Sequence, residues 1–187
     1  MRILHAIPAL GYGGAERVVV SLACGQRRAG HDVSVLTQQA RASERDALVR
    51  EGVTVFELGG ASRSGLVIKS AAWLTRSGSQ LAGIDILHGH LTYGSAFGAL
   101  ARFVQAAKFT EMPVCVETDH AAGMKVSTKT RLSYAATSWN ADAVVSVIQG
   151  ATTTGRTLRR TLRSTIPNGI EPLPIRSSWQ VGGPLRL

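Results

Sequence analysis

Four groups of residues in this 187-residue chain have types and spacings that can do chemistry. The first is Gly11-Tyr12-Gly13-Gly14-Ala15-Glu16-Arg17. It leads into a run whose apolar residues recur at Ala15, Val18, Val19, Leu22 and Ala23, one stripe of a helix. A helix opening offers unpaired N–H groups and a partial positive charge, and glycines there let an anion come close. The loop therefore either faces a phosphate or another anionic group, or makes only a tight turn. The second and third groups are His88 and His90, followed by Tyr93 and Gly94, and the pair Asp119-His120. Each follows a short apolar run, so each can supply a general base, a hydrogen bond to a ligand hydroxyl or a phosphate contact. Taken alone, His88 reads as a core histidine on a strand, whereas His120 reads as functional. The fourth group is Arg156, Arg159, Arg160 and Arg163, which share one face of an expected helix. They suit acidic headgroups or phosphates, or form an ordinary exposed basic face.

Other chemistries fit less well. A dinucleotide fingerprint wants glycine where Glu16 stands, and the second strand ends at Thr37 without a carboxylate for a ribose. No Gly-Lys-Ser/Thr follows the glycines, and no Gly-x-Ser-x-Gly elbow marks a nucleophile. His88, His90 and Asp119 lack a metal-ligand spacing.

The elements that must position these groups alternate. Strands are expected at Ile3–Leu10, Asp32–Thr37, Val53–Leu58, Ile84–His88, Val114–Thr118 and Ala143–Val147, with Ser164–Ile166 leading into the turn Pro167-Asn168-Gly169. Between them lie the glycine-loop helix, stopped by Gly30, and a helix capped by Ser43 and closed by Gly52. Further helices are expected over Leu66–Leu81, Tyr93–Val104, Thr130–Asn140 and Thr152–Leu162. Strands alternating with helices imply an α/β fold: a Rossmann-like, mainly parallel sheet with helices on both faces and ligands beyond the carboxyl ends of the strands.

Composition bounds the rest. The chain suits one domain, and no apolar run approaches the roughly 20 residues of a membrane-spanning helix. Cys24 and Cys115 read as small buried residues and fit a cytoplasmic chain. After residue 120, nine Lys and Arg stand against two acids; before it, twelve stand against ten. A basic second half suits an anionic surface such as acidic lipid. Nucleic acid is disfavoured, because aromatics make up 5% and none interleave with the charges.

Six stretches in order resemble the N-terminal domain of family-4 retaining glycosyltransferases of the GT-B fold. They are Gly13-Gly14-Ala15-Glu16-Arg17, Gly30-His31-Asp32-Val33-Ser34-Val35-Leu36-Thr37, Asp85-Ile86-Leu87-His88-Gly89-His90, Glu117-Thr118-Asp119-His120, Ala141-Asp142-Ala143-Val144-Val145-Ser146-Val147 and Ile166-Pro167-Asn168-Gly169-Ile170. The resemblance implies transfer of a sugar from a nucleotide sugar, such as a UDP- or GDP-sugar, with retention and without metal. The acceptor would be a lipid-linked or polysaccharide glycan, handled in the cytoplasm or peripherally at the inner face of a membrane. It implies donor diphosphate contact by Gly13 and Gly14, a catalytic-centre role for His120, and acceptor contact by Glu16, Arg17, His90, Tyr93 and Asp119. Residues 1–170 would form the acceptor-side domain. Residues 171–187 would be a linker and the start of a C-terminal donor-binding domain, whose Glu-x7-Glu element lies outside this chain. The fragment alone is expected to be inactive. The alternative is a noncatalytic sugar- or nucleotide-phosphate-binding module, or one chain of a two-chain transferase.

Overall fold

The computed structural model describes residues 1–59, 63–76, 83–108, 111–120, 127–148 and 162–168. The strands are β1 (Arg2–Leu10), β2 (Asp32–Ala40), β3 (Thr54–Glu57), β4 (Ile86–His90), β5 (Val114–Asp119), β6 (Ala143–Ser146) and β7 (Leu162–Thr165). The helices are α1 (Gly14–Arg28), α2 (Ala42–Arg50), α3 (Arg63–Arg76), α4 (Leu91–Lys108) and α5 (Thr128–Thr137), with a 3-10 turn at Ser138–Asn140. The seven strands form one sheet in the order β3-β2-β1-β4-β5-β6-β7, and every neighbouring pair is parallel. The chain leaves β1 towards β2 and β3, then returns to β4 on the other side of β1. That reversal opens a crevice at the carboxyl ends of β1 and β4, where such sheets bind ligands.

Alternation along the strands builds two cores. Ile7, Val33 and Val35 turn to one face and pack under Val19 and Ala23 of α1 and Leu48 of α2. Leu4, Ala6, Leu36 and Leu87 turn to the other, under Leu74 of α3 and Phe97 and Ala101 of α4. Burying a side chain such as Phe97 contributes about 2–3 kcal/mol. At the end of α1, Gly30 takes φ +86°, and the His31 N–H donates to the Gln26 carbonyl at 3.1 Å, closing the helix. Cys24 and Cys115 are both buried and free.

The structure moves several boundaries. Arg41, not Ser43, occupies the N-cap of α2, because its N–H donates to the Leu10 carbonyl at 2.9 Å and holds it extended. The cap of α5 is Ser127, whose Oγ accepts from the Thr130 N–H at 3.2 Å. β4 continues to His90 and joins α4 without a loop, with Leu91 at φ 59°. The expected basic helix does not reach Leu162 or Arg163. Residues 162–165 pair with β6, Leu162 opposite Ala143 and Arg163 opposite Val144, so Arg163 is an exposed strand residue. Arg156, Arg159 and Arg160 lie outside the described residues, as do residues 77–81 of the expected third helix and residues 169–187.

Glu117 of β5 is buried under α4. Ser95 Oγ donates to its Oε1, while its Oε2 has no hydrogen-bond partner among the described residues. Burial, together with nearby Asp119 and against the Ser95 hydrogen bond, pushes its pKa up to about 7. The folded state thus holds this proton more tightly than the unfolded chain. The stability it gives is complete below about pH 4.5 and is lost as pH rises through about 7. Between pH 5 and 8.5 the wild type should lose about 2 kcal/mol that Glu117→Gln does not lose. Urea unfolding of both proteins at the two pH values checks this; a pH-independent difference between them would contradict it.

Candidate active site

The site begins at the helix opening. Gly13 is the N-cap of α1, extended at φ −72° and ψ 163°, with no side-chain cap. A Cβ on Gly14 would meet nothing within 4 Å, whereas one on Gly13 would overlap the Glu16 carboxylate. Glu16 therefore folds back against the helix opening, where the dipole favours negative charge. An incoming anion must displace this flexible side chain to reach the Gly13-Gly14 backbone. Arg17 is exposed and pairs with Glu44 at 3.8 Å. The Arg41 guanidinium lies 3.3 Å over the Tyr12 ring, joining the glycine loop to the segment after β2.

The carboxyl edge next to this loop carries a line of histidines. His90, the last residue of β4, is fully buried, and its Nδ1 lies 3.1 Å from His120 Nε2. Its Nε2 lies 3.0 Å from Nδ1 of His5, in the middle of β1. His5 Nε2 meets the Gln26 amide oxygen of α1 at 2.7 Å. His88 stacks on His90 with ring centroids 4.2 Å apart, and its Nε2 lies 2.7 Å from Thr118 Oγ1. His88 is thus a satisfied core residue. His90 reaches the edge only through His120.

Burial lowers the pKa of His5 to about 4, against the opposing hydrogen bond to Gln26. It also holds His88 and His90 well below 6.5, helped by their histidine neighbours. Half-buried His120 is lowered by desolvation, while Asp119 and Glu16 pull the other way. The field of Glu16 on His120 ties the glycine loop to the end of β5.

A sign follows for acid stability. A histidine whose folded pKa is depressed gives stability that is present above pH 6.5 and lost as pH falls through its folded value. His5 alone should cost about 2 kcal/mol by pH 5, and about 3 kcal/mol in full. His88 and His90 act in the same direction. Urea unfolding at pH 7.5 and 5 in the Glu117→Gln background, which lacks the opposing carboxyl, should show at least this loss. Equal stability at the two pH values would contradict it.

The remaining sequence candidates divide. Asp119 is buried at the end of β5. Tyr93 sits on the opposite side of the sheet from the histidine line, among the second core, with its hydroxyl 3.0 Å from Ser70 Oγ. It packs there because α4 follows β4 directly and its first turn turns towards α3. Neither His5 nor Gln26 stands out as a site residue in the sequence alone. The signal was present: a histidine inside an apolar strand run, and a glutamine continuing the apolar stripe of α1 at Val19, Leu22 and Ala23. Among the described residues, His5, His88 and His90 bring ligating nitrogens within 4.8 Å of one another, as a metal ion would need. His5 and His90 are hydrogen-bonded to each other and His88 stacks on His90, so the arrangement is that of a hydrogen-bonded chain. Gln26 and His88 also border a largely apolar cavity of about 500 Å³ with Val18, Leu22, Thr118 and Val145.

A seven-stranded parallel sheet with helices on both faces and a helix N-terminus at its carboxyl edge is a Rossmann-like α/β domain. The model of Glycosyltransferase Family 4 matches residues 12–172, and the chain belongs to that family. No curated protein matches the chain. Among solved structures it is similar to Anabaena Alr3699/HepE in complex with UDP and glucose, with a TM-score of 0.65 and 19% identity over 91% of this chain and 45% of that one. It is also similar to a glycosyltransferase from Rickettsia africae, with a TM-score of 0.56 and 20% identity over 78% of this chain and 36% of that one. The chain therefore spans less than half the length of these proteins, and identities this low speak to fold alone.

Proposed function

We propose that this chain is the acceptor-side domain of a retaining glycosyltransferase. Its donor would be a nucleotide sugar such as a UDP- or GDP-sugar, and its acceptor a lipid-linked or polysaccharide glycan. The observation that carries the reading is that the α1 N-terminus at Gly13-Gly14 and His120, after β5, stand at the same carboxyl edge of the sheet, where Glu16 of α1 acts electrostatically on His120. The UDP and glucose held by the Anabaena relative support the donor class. In the proposed step the C1–O bond to the diphosphate breaks and the acceptor oxygen bonds C1 on the same face of the sugar. The acceptor's proton passes to the leaving diphosphate. N–H groups at Gly13 and Gly14, with Glu16 swung away, stabilise the departing charge without metal. His120 contacts the transferring sugar, and Glu16, Arg17 and Asp119 border the acceptor path. A donor-binding domain outside residues 1–170 completes the cleft.

The test uses the gene product that contains residues 1–187, with nucleotide sugars and glycan acceptors, following the product anomer by NMR. Retained configuration is expected, and an inverted product would overturn the mechanism. The 187-residue chain alone should show no turnover; a mass-confirmed product from it would overturn the two-domain reading.

Among the described residues no helix is long and apolar enough to cross a membrane. We further propose peripheral docking of the basic second half to anionic lipid at the inner membrane face, with Arg156, Arg159, Arg160 and Arg163 among its cations. Binding to anionic vesicles should weaken as salt rises; equal binding to neutral vesicles would contradict it.

A further inference from the structure

His120 is the last member of a line whose first member is an amide. Gln26 turns its Oε1 to His5 Nε2 at 2.7 Å, His5 Nδ1 faces His90 Nε2 at 3.0 Å, and His90 Nδ1 faces His120 Nε2 at 3.1 Å. An amide oxygen only accepts, so His5 must carry its proton on Nε2. A neutral imidazole has one donor and one acceptor, which leaves His5 Nδ1 with a lone pair. That lone pair can be met only by N–H at His90 Nε2. His90 Nδ1 is then an acceptor, and His120 must donate from Nε2. We infer that Gln26 sets the tautomer of His120 through His5 and His90, so that His120 presents an unprotonated Nδ1 at the carboxyl edge.

This makes Gln26 a positioning residue, distant in sequence from the edge it controls. The role rests on the reading of His120 as a contact to the transferring sugar: an unprotonated Nδ1 accepts a hydrogen bond from a sugar hydroxyl, whereas a reversed chain would present an N–H. The three rings form an orienting device and not a path for protons. A side-chain amide takes no proton at neutral pH, so a proton arriving at His120 has no outlet at the Gln26 end. Burial keeps His5 and His90 neutral, as the alternation of donor and acceptor requires. His88 stacks against the line but bonds to Thr118, so it does not set the polarity.

Imidazole nitrogen NMR of the uniformly ¹⁵N-labelled 187-residue chain at pH 7.5 tests the inference, since protonated and unprotonated ring nitrogens have well-separated shifts. His5, His90 and His120 should all be protonated at Nε2 alone. Gln26→Met, close in shape but without an amide, should shift all three rings together into mixed tautomers. In the gene product that contains this chain, it should lower kcat by about tenfold with little change in KM for the donor. A wild-type spectrum with any of the three protonated at Nδ1 would overturn the inference, as would an unchanged His120 tautomer in Gln26→Met. Should the variant fail to fold, the wild-type spectrum decides alone. Tautomers as expected in a protein that transfers no sugar would uphold the orienting chain and overturn the proposed function.

Discussion

Gly94→Ala should destabilise the domain by about 3 kcal/mol or more, enough to remove much of the folded protein. A Cβ at Gly94 would lie 2.5 Å from the Gly89 carbonyl carbon, 2.6 Å from its Cα and 2.9 Å from the Ala6 carbonyl oxygen. All three are backbone atoms of β4 and β1 in the middle of the sheet, so no rotamer change relieves the overlap. The first turn of α4 would have to lift, and Phe97 and Ala101 would lose their packing against Leu4 and Leu87. Gly89→Ala meets the same obstacle from the strand side, at 2.7 Å from the Gly94 carbonyl carbon. Gly25→Ala is the control. Its Cβ would meet nothing within 4 Å on α1, so it should be neutral or stabilise by about 0.5–1 kcal/mol. Urea unfolding of the three variants decides the matter, and a Gly94→Ala protein within 0.5 kcal/mol of wild type would contradict the close approach.

His120→Ala should lower sugar transfer by about 10²- to 10³-fold in kcat while leaving the domain folded. The side chain is half-buried at the end of β5 and belongs to neither hydrophobic core, so its removal leaves the packing intact. What is lost is the one member of the histidine line that reaches the edge, and with it a hydrogen bond at the reacting sugar. Such a bond matters most in the transition state, so kcat should fall more than donor affinity changes. A loss of 10²- to 10³-fold corresponds to about 3–4 kcal/mol of transition-state stabilisation. Steady-state kinetics and donor binding on the same preparation separate the two effects. A raised KM with kcat unchanged would assign His120 to ground-state binding.

Local pattern made much of this legible in the sequence. The apolar runs at Ile3–Leu10 and Val114–Thr118 are strands because both faces of the sheet are covered, and the stripe from Ala15 to Ala23 is a helix because one of its faces is. The glycine loop and His120 declared themselves by standing at the ends of such strands. Contacts between distant residues were not legible. His5 and Gln26 are 21 residues apart, His5 and His90 are 85 apart, and each looks locally like an ordinary core position. The backbone contact of Gly89 with Gly94 depends on α4 starting directly after His90, which no local propensity announces. Charge spacing places Arg163 on a helix, yet its segment pairs with β6 as the edge strand β7, and that pairing outweighs the periodicity. The resemblance makes Tyr93 an acceptor contact, while the left-handed turn at Leu91 carries its side chain to the other face of the sheet from the histidine line.

The most direct measurement is transfer itself. The gene product that contains residues 1–187 is given a panel of nucleotide sugars and glycan acceptors, and nucleoside diphosphate release and acceptor mass are followed together. The expected result is an acceptor heavier by one glycosyl unit for each nucleoside diphosphate released, with the rate largely abolished in His120→Ala. Nucleotide-sugar binding without turnover, at levels unchanged by His120→Ala, would contradict a glycosyltransferase site and mark the domain as a binding module.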